Sequence, residues 1–191
     1  MPKRGPSESF ALNPEQINQL WRVCHELADK ILVGLLMMLG LRVSEAVHLQ
    51  ASWIREDAVH IPPQIACNCW GCSGTGIWKP KSKAGVRVIP IVETLLPHLL
   101  TFLQHQPDGL GYSRIYAWKR VKELAKEAKI AYLSPHILRA TAATAFASAG
   151  FTAPELCYVM GWANIAMGSH YIQIVQAKAG VARKMKNMFT S

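Results

Sequence analysis

Apolar positions recur at the three- and four-residue spacing of α-helices over most of the chain. The first helix is predicted after Asn13, a favourable N-cap, with Pro14 at its first position. A second is predicted from about residue 29 to 38, ending near Gly40, and a short third helix near Ser44, taken as its cap. The same periodicity predicts further helices at residues 92–105, 114–129, 135–149, 153–160 and, as a basic last helix, about 174–188.

The middle of the chain has a different pattern, in which apolar and other residues alternate over short segments. Residues 52–63 and 76–91 are typical of strands joined by turns, and "KSKAG" at 81–85 is predicted as a hairpin tip. We expect an antiparallel sheet of about three strands, interrupted by a cysteine-containing loop. The element order predicts a mainly α protein with a small antiparallel β-sheet (α+β), as a single domain over residues 11–191 after a flexible leader at 1–10.

Composition agrees with a globular chain. Of the 191 residues, 50% are hydrophobic and 17% are charged, which excludes an intrinsically disordered protein. The longest apolar run, at residues 31–41, is too short to cross a bilayer and is typical of a buried helix. No apolar segment follows the charged N-terminus, so a secretory signal is not indicated and a cytoplasmic, DNA-associated location is expected.

The charge balance points to a polyanionic partner. The chain has 21 Lys and Arg against 12 Asp and Glu, for a net charge of +9. An excess of this size in one domain favours nucleic acid as the partner, and a solvated basic surface is the alternative.

The chain has five cysteines, and an odd number disfavours a disulfide framework. Cys24 and Cys157 lie in apolar helical patterns and are predicted as small core residues. The other three are clustered with the spacing C-x-C-x-x-C: Cys67, Cys69 and Cys72. They are a weak candidate for structural zinc, whose fourth ligand would come from His48, His60 or a distant residue. A loop with free thiols is the alternative.

The stretch "LSPHILRATAATAFASAG" (133–150) places polar chemistry at the start of an apolar helix. Ser134 is a favourable N-cap, Pro135 suits the first helical position and Gly150 suits the end. His136 and Arg139 then lie one turn apart near the positive end of the helix dipole, where free backbone amides favour an anion such as phosphate. A surface His and Arg beside a buried helix are the alternative interpretation.

Two further stretches complete a pattern: "LGLRVSEAVHL" (39–49) and "GWANIAMGSHYIQI" (161–174). With "PHILRATAATAF" (135–146), they closely resemble the signature of the tyrosine recombinases, the family of phage integrases and Xer-type recombinases. That signature is Gly-Leu-Arg-x-Ser-Glu, a Lys on a β-hairpin, Pro-His-x-Leu-Arg, Gly followed by His or Trp, and a Tyr nine residues later. The order and separations hold here from Leu39 to Tyr171, and the resemblance covers nearly the whole chain.

The resemblance implies a role for each matching residue. Tyr171 would be the nucleophile that attacks a DNA phosphodiester and forms a 3′-phosphotyrosine link. Arg42 and Arg139 would hold the non-bridging phosphate oxygens, and His136 would assist proton transfer at the tyrosine. Trp162 occupies the position that is His in most members and Trp in some, and it can donate one indole N–H.

The resemblance also implies a hairpin lysine that protonates the leaving 5′-oxygen. Lys81 matches the pattern best, with Ser82 after it, and Lys83 is the competing candidate. Lys79, Lys83 and Arg87 are expected to contact DNA.

The function that the resemblance implies is a site-specific recombinase of the integrase or excisionase type, found on mobile elements, that cleaves and rejoins double-stranded DNA. No cofactor is implied for catalysis. A homo-tetramer on paired DNA sites is expected, with a monomer in isolation. The chain starts about where the catalytic domain of relatives starts, so a separate N-terminal core-binding domain is expected to be absent. The alternatives are a type IB topoisomerase-like nicking-closing enzyme and a non-catalytic DNA-binding module with the same fold.

Overall fold

A computed structural model describes residues 11–188 of the chain. The predicted leader at residues 1–10 lies outside the described residues. The helices are α1 Pro14–Val23, α2 Leu27–Met37, α3 Val43–Ala46, α4 Leu96–His105, α5 Arg114–Glu127, α6 Pro135–Ser148, α7 Ala153–Met160 and α8 Ile165–Asn187. The strands are β1 Ile54–Arg55, β2 Ala58–Ile61, β3 Ile65–Ala66, β4 Ile77–Trp78 and β5 Arg87–Pro90. The predicted class, mainly α with a small antiparallel sheet, is confirmed.

Helix starts follow local capping chemistry. The side chain of Asn13 accepts the Gln16 amide at 2.9 Å, and the Gln16 side chain accepts the Asn13 amide at 3.1 Å, so α1 begins as predicted. The cap of α3 is Arg42, not Ser44 as predicted. Glu45, three positions on, accepts the Arg42 amide at 2.8 Å, and the cap lies two residues earlier than predicted.

The sheet has the expected size but a different connection. β1, β2 and β5 form a three-stranded antiparallel sheet with β2 in the centre, and β3 pairs only with β4 around the cysteine loop. The segment "KSKAG" is therefore not the tip of a hairpin: it joins strands of two sheets through a 3₁₀ turn at Lys83–Gly85. Along β5, Arg87 and Ile89 are buried and Val88 is exposed.

The last helix begins much earlier than the predicted start near residue 174. The Asn164 side chain accepts the Ala166 amide at 2.9 Å and caps α8, which places Tyr171 inside the helix. Gly168 permits this packing, since a Cβ there would lie 2.6 Å from the carbonyl oxygen of Ala153 at the start of α7.

The core lies between α2 and α6, which pack against each other, while α8 covers another side of α6. Leu32, Leu35 and Leu36 of α2 and Leu138 of α6 are fully buried. This packing brings the end of α2 and the starts of α3 and α6 close to the turn between α7 and α8. Within residues 11–188, no helix combines the length and apolar character needed to cross a bilayer.

Candidate active site

A buried carboxylate, Glu45 of α3, organises this junction of helices. Its Oε1 accepts Arg42 Nη1 at 2.8 Å and Arg87 Nη1 at 3.1 Å, and its Oε2 accepts Arg87 Nη2 at 3.0 Å. The remaining donors of Arg87 reach the carbonyl oxygens of Val159 at 2.8 Å and Gly85 at 2.9 Å. Glu45 therefore links α3, the sheet and α7 in one hydrogen-bonded network.

Arg87 does not lie where a DNA contact was expected. Its side chain is buried, and all three guanidinium nitrogens are bound within the protein. The alternation of β5 turns this residue towards Glu45 and leaves Val88 outside. The geometry therefore gives Arg87 a positioning role, in which it holds Glu45 and the α7 terminus.

Arg42 and Arg139 meet at the turn that ends α7. Arg42 Nη2 donates to the Gly161 carbonyl at 2.6 Å, and Arg139 donates to the carbonyls of Gly40 and Met160. Gly161 has φ +62°, and a Cβ there would lie 2.8 Å from Arg87 Nη1 and 3.0 Å from Arg42 Nη1. The turn requires a glycine both for its left-handed backbone and for the close approach of the two guanidiniums.

The electrostatics of the cluster favour an anion. Burial alone would raise the pKa of Glu45, but hydrogen bonds and positive charge from Arg87, with those from Arg42, hold it below its ordinary value. Burial, and then the charge of Arg42, lower the pKa of Arg139 to about 9. The guanidiniums of Arg42, Arg87 and Arg139 share the single carboxylate of Glu45, so positive charge exceeds negative charge among these four groups. A phosphate that approaches Arg42 and Arg139 would offset this excess.

Trp162 and Tyr171 lie directly against this cluster. Their rings are stacked, with centroids 5.2 Å apart and an interplanar angle of 22°. Arg139 Cζ is 6.0 Å from the centroid of the Trp162 ring. Tyr171 is only 4% exposed, so its ring faces the interior from α8. The predicted nucleophile and the predicted phosphate-binding arginines are thereby brought together.

The remaining predicted residues lie nearer the surface. His136 is exposed in the first turn of α6, which Ser134 caps by accepting the Ile137 amide at 3.4 Å. Lys81 and Lys79, both exposed, line a cavity of about 400 Å³ that also contains Arg42. Lys83 is exposed in the 3₁₀ turn and does not line this cavity. Of the two candidate lysines, the cavity that Arg42 lines therefore includes Lys81 and not Lys83.

Glu45 and Gly161 both stand in the family signature, but the resemblance assigned neither of them a role. Glu45 had a local signal, because it follows Arg42 by three positions in an otherwise apolar segment, which favours an ion pair at the start of a helix. Its second partner, Arg87, is 42 residues away and had no local signal.

Residues 11–178 match the phage integrase family. The transposase from transposon Tn916 of Enterococcus faecalis is 31% identical over 169 residues, which span 75% of this chain and 41% of the transposase. The chain therefore covers less than half of that relative.

Solved structures agree in fold. The XerA recombinase superposes with a TM-score of 0.70 at 20% identity, over 90% of this chain and 61% of that protein. The Tn1549 transposon integrase, in complex with transposon right end DNA, superposes with a TM-score of 0.70 at 23% identity, over 92% of this chain and 66% of that protein.

Proposed function

The chain belongs to the phage integrase family, the tyrosine recombinases, and from this premise we propose that it is a site-specific recombinase. It cleaves and rejoins double-stranded DNA through a 3′-phosphotyrosine intermediate. The observation that carries the proposal is the convergence of Arg42 and Arg139 on the Met160–Gly161 turn, with Tyr171 stacked on Trp162 beside them.

The arginines bind and stabilise the phosphate. In-line displacement at phosphorus gathers negative charge on the non-bridging oxygens, and planar, permanently charged guanidiniums match these oxygens better than ammonium groups. Arg42 is held by Glu45 and a backbone carbonyl, and Arg139 by two backbone carbonyls, so little reorganisation is needed when charge develops. A preorganised donor of this kind is worth about 3–4 kcal/mol of barrier.

Tyr171 attacks the phosphorus. A phenol with a pKa near 10 is a weak nucleophile at neutral pH, so it needs a positive environment and a proton acceptor. Arg139 provides positive charge close to the phenol. His136, in the role that the family resemblance gives it, takes up the proton. The new phosphotyrosine is itself a phosphodiester, so the bond energy of the cleaved link is conserved for rejoining. Members of this family need no cofactor for this chemistry.

Lys81 protonates the leaving 5′-oxygen. Lys81 lines the same cavity as Arg42, where the phosphate is proposed to bind, and this supports the role. Trp162 packs on Tyr171 and donates its indole N–H to a phosphate oxygen.

Double-stranded DNA is the proposed partner, and it fits the net charge of +9. The proposed active assembly is a homo-tetramer on two DNA sites. After Tyr171, α8 continues as an exposed basic segment with Arg183 and Lys184, which we propose contacts a neighbouring protomer in this assembly.

The test uses short duplexes that carry a nick beside a randomised segment, so that a cleaved strand diffuses away and the covalent complex accumulates. Wild-type protein is expected to form an adduct that survives denaturing electrophoresis, and sequencing of the attached DNA identifies the site. Tyr171→Phe is expected to bind DNA without forming the adduct, whereas Tyr116→Phe, at an exposed tyrosine of α5, forms it normally.

Two outcomes would contradict the proposal. DNA binding without any adduct from wild-type protein would identify a non-catalytic DNA-binding module. Adduct formation with relaxation of supercoiled plasmids, but with no exchange between two copies of the identified site, would identify a nicking-closing enzyme.

A further inference from the structure

Four side chains that the proposed reaction does not use converge beside the active site. Cys67, Cys69 and Cys72 lie on the loop between β3 and β4, and His48 follows α3. One nitrogen or sulfur atom from each lies within 4.8 Å of all the others. We propose that these residues bind a structural zinc ion, a site that is independent of the proposed recombinase activity.

The distances match a tetrahedral zinc site. Zinc bonds of about 2.3 Å to sulfur and 2.0–2.1 Å to nitrogen place a nitrogen and a sulfur ligand about 3.6 Å apart when the angles are tetrahedral. His48 Nε2 lies 3.4 Å from Cys69 Sγ and 3.6 Å from Cys72 Sγ. Three thiolates and one imidazole form one of the common ligand sets for structural zinc, and soft sulfur ligands disfavour magnesium and calcium.

His48 is oriented for coordination by atoms outside the cluster. Its Nδ1 lies 2.7 Å from the Ser44 carbonyl oxygen, which cannot donate, so Nδ1 carries the proton and Nε2 presents its lone pair to the thiols. The ring also stacks on Trp78 of β4, with centroids 5.2 Å apart. A backbone carbonyl that fixes the tautomer of a histidine is the usual second partner of a metal-bound imidazole.

The fourth ligand is therefore His48 and not His60. His60 lies in the middle of β2, in the three-stranded sheet, and it is not part of the cluster of four. His48 contacts Cys69 across 21 positions of sequence, so no local pattern distinguishes His48 from His60.

The loop has the backbone geometry of a compact metal-binding turn. The Cys69 amide donates towards Cys67 Sγ at 3.4 Å. The amides of Cys72 and Gly76 donate to the carbonyls of Cys69 at 2.9 Å and Cys72 at 2.8 Å. These turns direct the three sulfur atoms to one side of the loop.

The metal has a structural task because the hairpin is short. β3 and β4 have two residues each, and an isolated ribbon of this size is marginal in water. Zinc would tie the hairpin to His48 and so to α3, the helix capped by Arg42, and metal binding energy would add to the folding free energy. The cavity that holds Arg42 and Lys81 is also lined by Cys69 and Cys72. If the proposed function holds, the ion also positions the segment that carries Lys81.

The first experiment measures metal in the full chain, purified under reducing conditions without added chelator. Elemental analysis is expected to find one zinc ion per chain, released when a mercurial reagent titrates the thiols. Replacement by Co²⁺ is expected to give the intense visible d–d and thiolate charge-transfer bands of a four-coordinate site. A folded chain without stoichiometric zinc and without this Co²⁺ spectrum would overturn the proposal, as would a disulfide among the three cysteines in the freshly purified chain.

Variants identify the ligands. Cys69→Ser and His48→Ala are expected to lose the bound metal, whereas Cys157→Ser and His60→Ala retain it, since neither residue belongs to the cluster. Retention of zinc in both His48→Ala and Cys69→Ser would contradict the assignment. If a variant fails to fold, the Co²⁺ spectrum of the wild-type protein still tests the site. Because metal content needs no DNA, the zinc site and the recombinase function can each fail while the other stands.

Discussion

The indole of Trp162 stacks on the phenol ring of Tyr171, with ring centroids 5.2 Å apart. The same indole lies 6.0 Å from Cζ of Arg139. Trp162 therefore connects the proposed nucleophile to the proposed phosphate-binding arginine, and its ring fixes where the phenol lies relative to that charge.

Replacement of Trp162 separates stacking from hydrogen bonding. Trp162→Ala removes both and is expected to slow single-turnover adduct formation by about two- to tenfold from the lost stacking alone, since an aromatic pair is worth about 0.5–1.5 kcal/mol beyond its buried area. Trp162→Phe keeps a ring on Tyr171 but lacks the N–H, and Trp162→His keeps a donor. Trp118→Ala, at an exposed tryptophan of α5, is the control. Equal rates for Trp162→Ala and wild type would exclude a role in positioning Tyr171.

Glu45→Gln is expected to destabilise the fold by about 3–5 kcal/mol at neutral pH, because it leaves the buried Arg87 without its counter-charge. Urea denaturation measures the loss, with Glu93→Gln at an exposed position as the control. If Glu45→Gln lowers the free energy of unfolding no more than Glu93→Gln does, the Glu45–Arg87 ion pair does not stabilise the network.

The same pair gives a pH dependence with a definite sign. The pKa of Glu45 is lower in the folded state than its unfolded value of about 4.3. Its stabilising contribution is therefore complete above that value and is lost as the pH falls through the folded pKa. The difference in unfolding free energy between wild type and Glu45→Gln should shrink over that acidic range, and a difference that grows on acidification would contradict the assignment.

Gly161→Ala tests the close approach of the arginines. Gly111 has φ +63°, nearly the same as φ +62° at Gly161, but nothing lies within 4 Å of a Cβ added there. Both substitutions carry a left-handed backbone cost of about 1–2 kcal/mol. Only Gly161→Ala also displaces Arg42 and Arg87, so adduct formation is expected to fall about 100-fold, as for a misplaced catalytic group. Equal effects of the two variants would show that the turn tolerates a side chain.

The two candidate lysines are distinguished by the leaving group. Lys81→Ala is expected to slow cleavage of ordinary DNA strongly, since general acid catalysis contributes about 10²–10⁴-fold. A substrate with sulfur in place of the leaving 5′-oxygen needs no proton donor, so it should restore the rate of Lys81→Ala. Lys83→Ala serves as the matched control on the same turn. If the sulfur substrate restores the rate of Lys83→Ala and not that of Lys81→Ala, the proton donor is Lys83.

Local patterns predicted most of the helices well. Periodicity, together with Asn13, Ser134 and the prolines that follow them, placed the starts of α1 and α6 where the structure has them. The predicted cap of α3 failed through a local contact, since Glu45 accepts the Arg42 amide. Other predictions failed where a distant contact decides the outcome. α8 begins at Ile165 because it packs on α7 through Gly168, and "KSKAG" is not a hairpin tip because β5 pairs with β2.

The sequence by itself determined the elements, the family resemblance and the residue types of the candidate site, since helical periodicity, caps and motif order are all local properties. Only the tertiary structure decided which groups meet. It turned Arg87 inward to Glu45, placed Lys81 but not Lys83 on the cavity that Arg42 lines, and brought His48 rather than His60 to the three cysteines. Each of these choices joins residues from separate elements, and the packing of those elements is set by burial over the whole core rather than by any short stretch of chain.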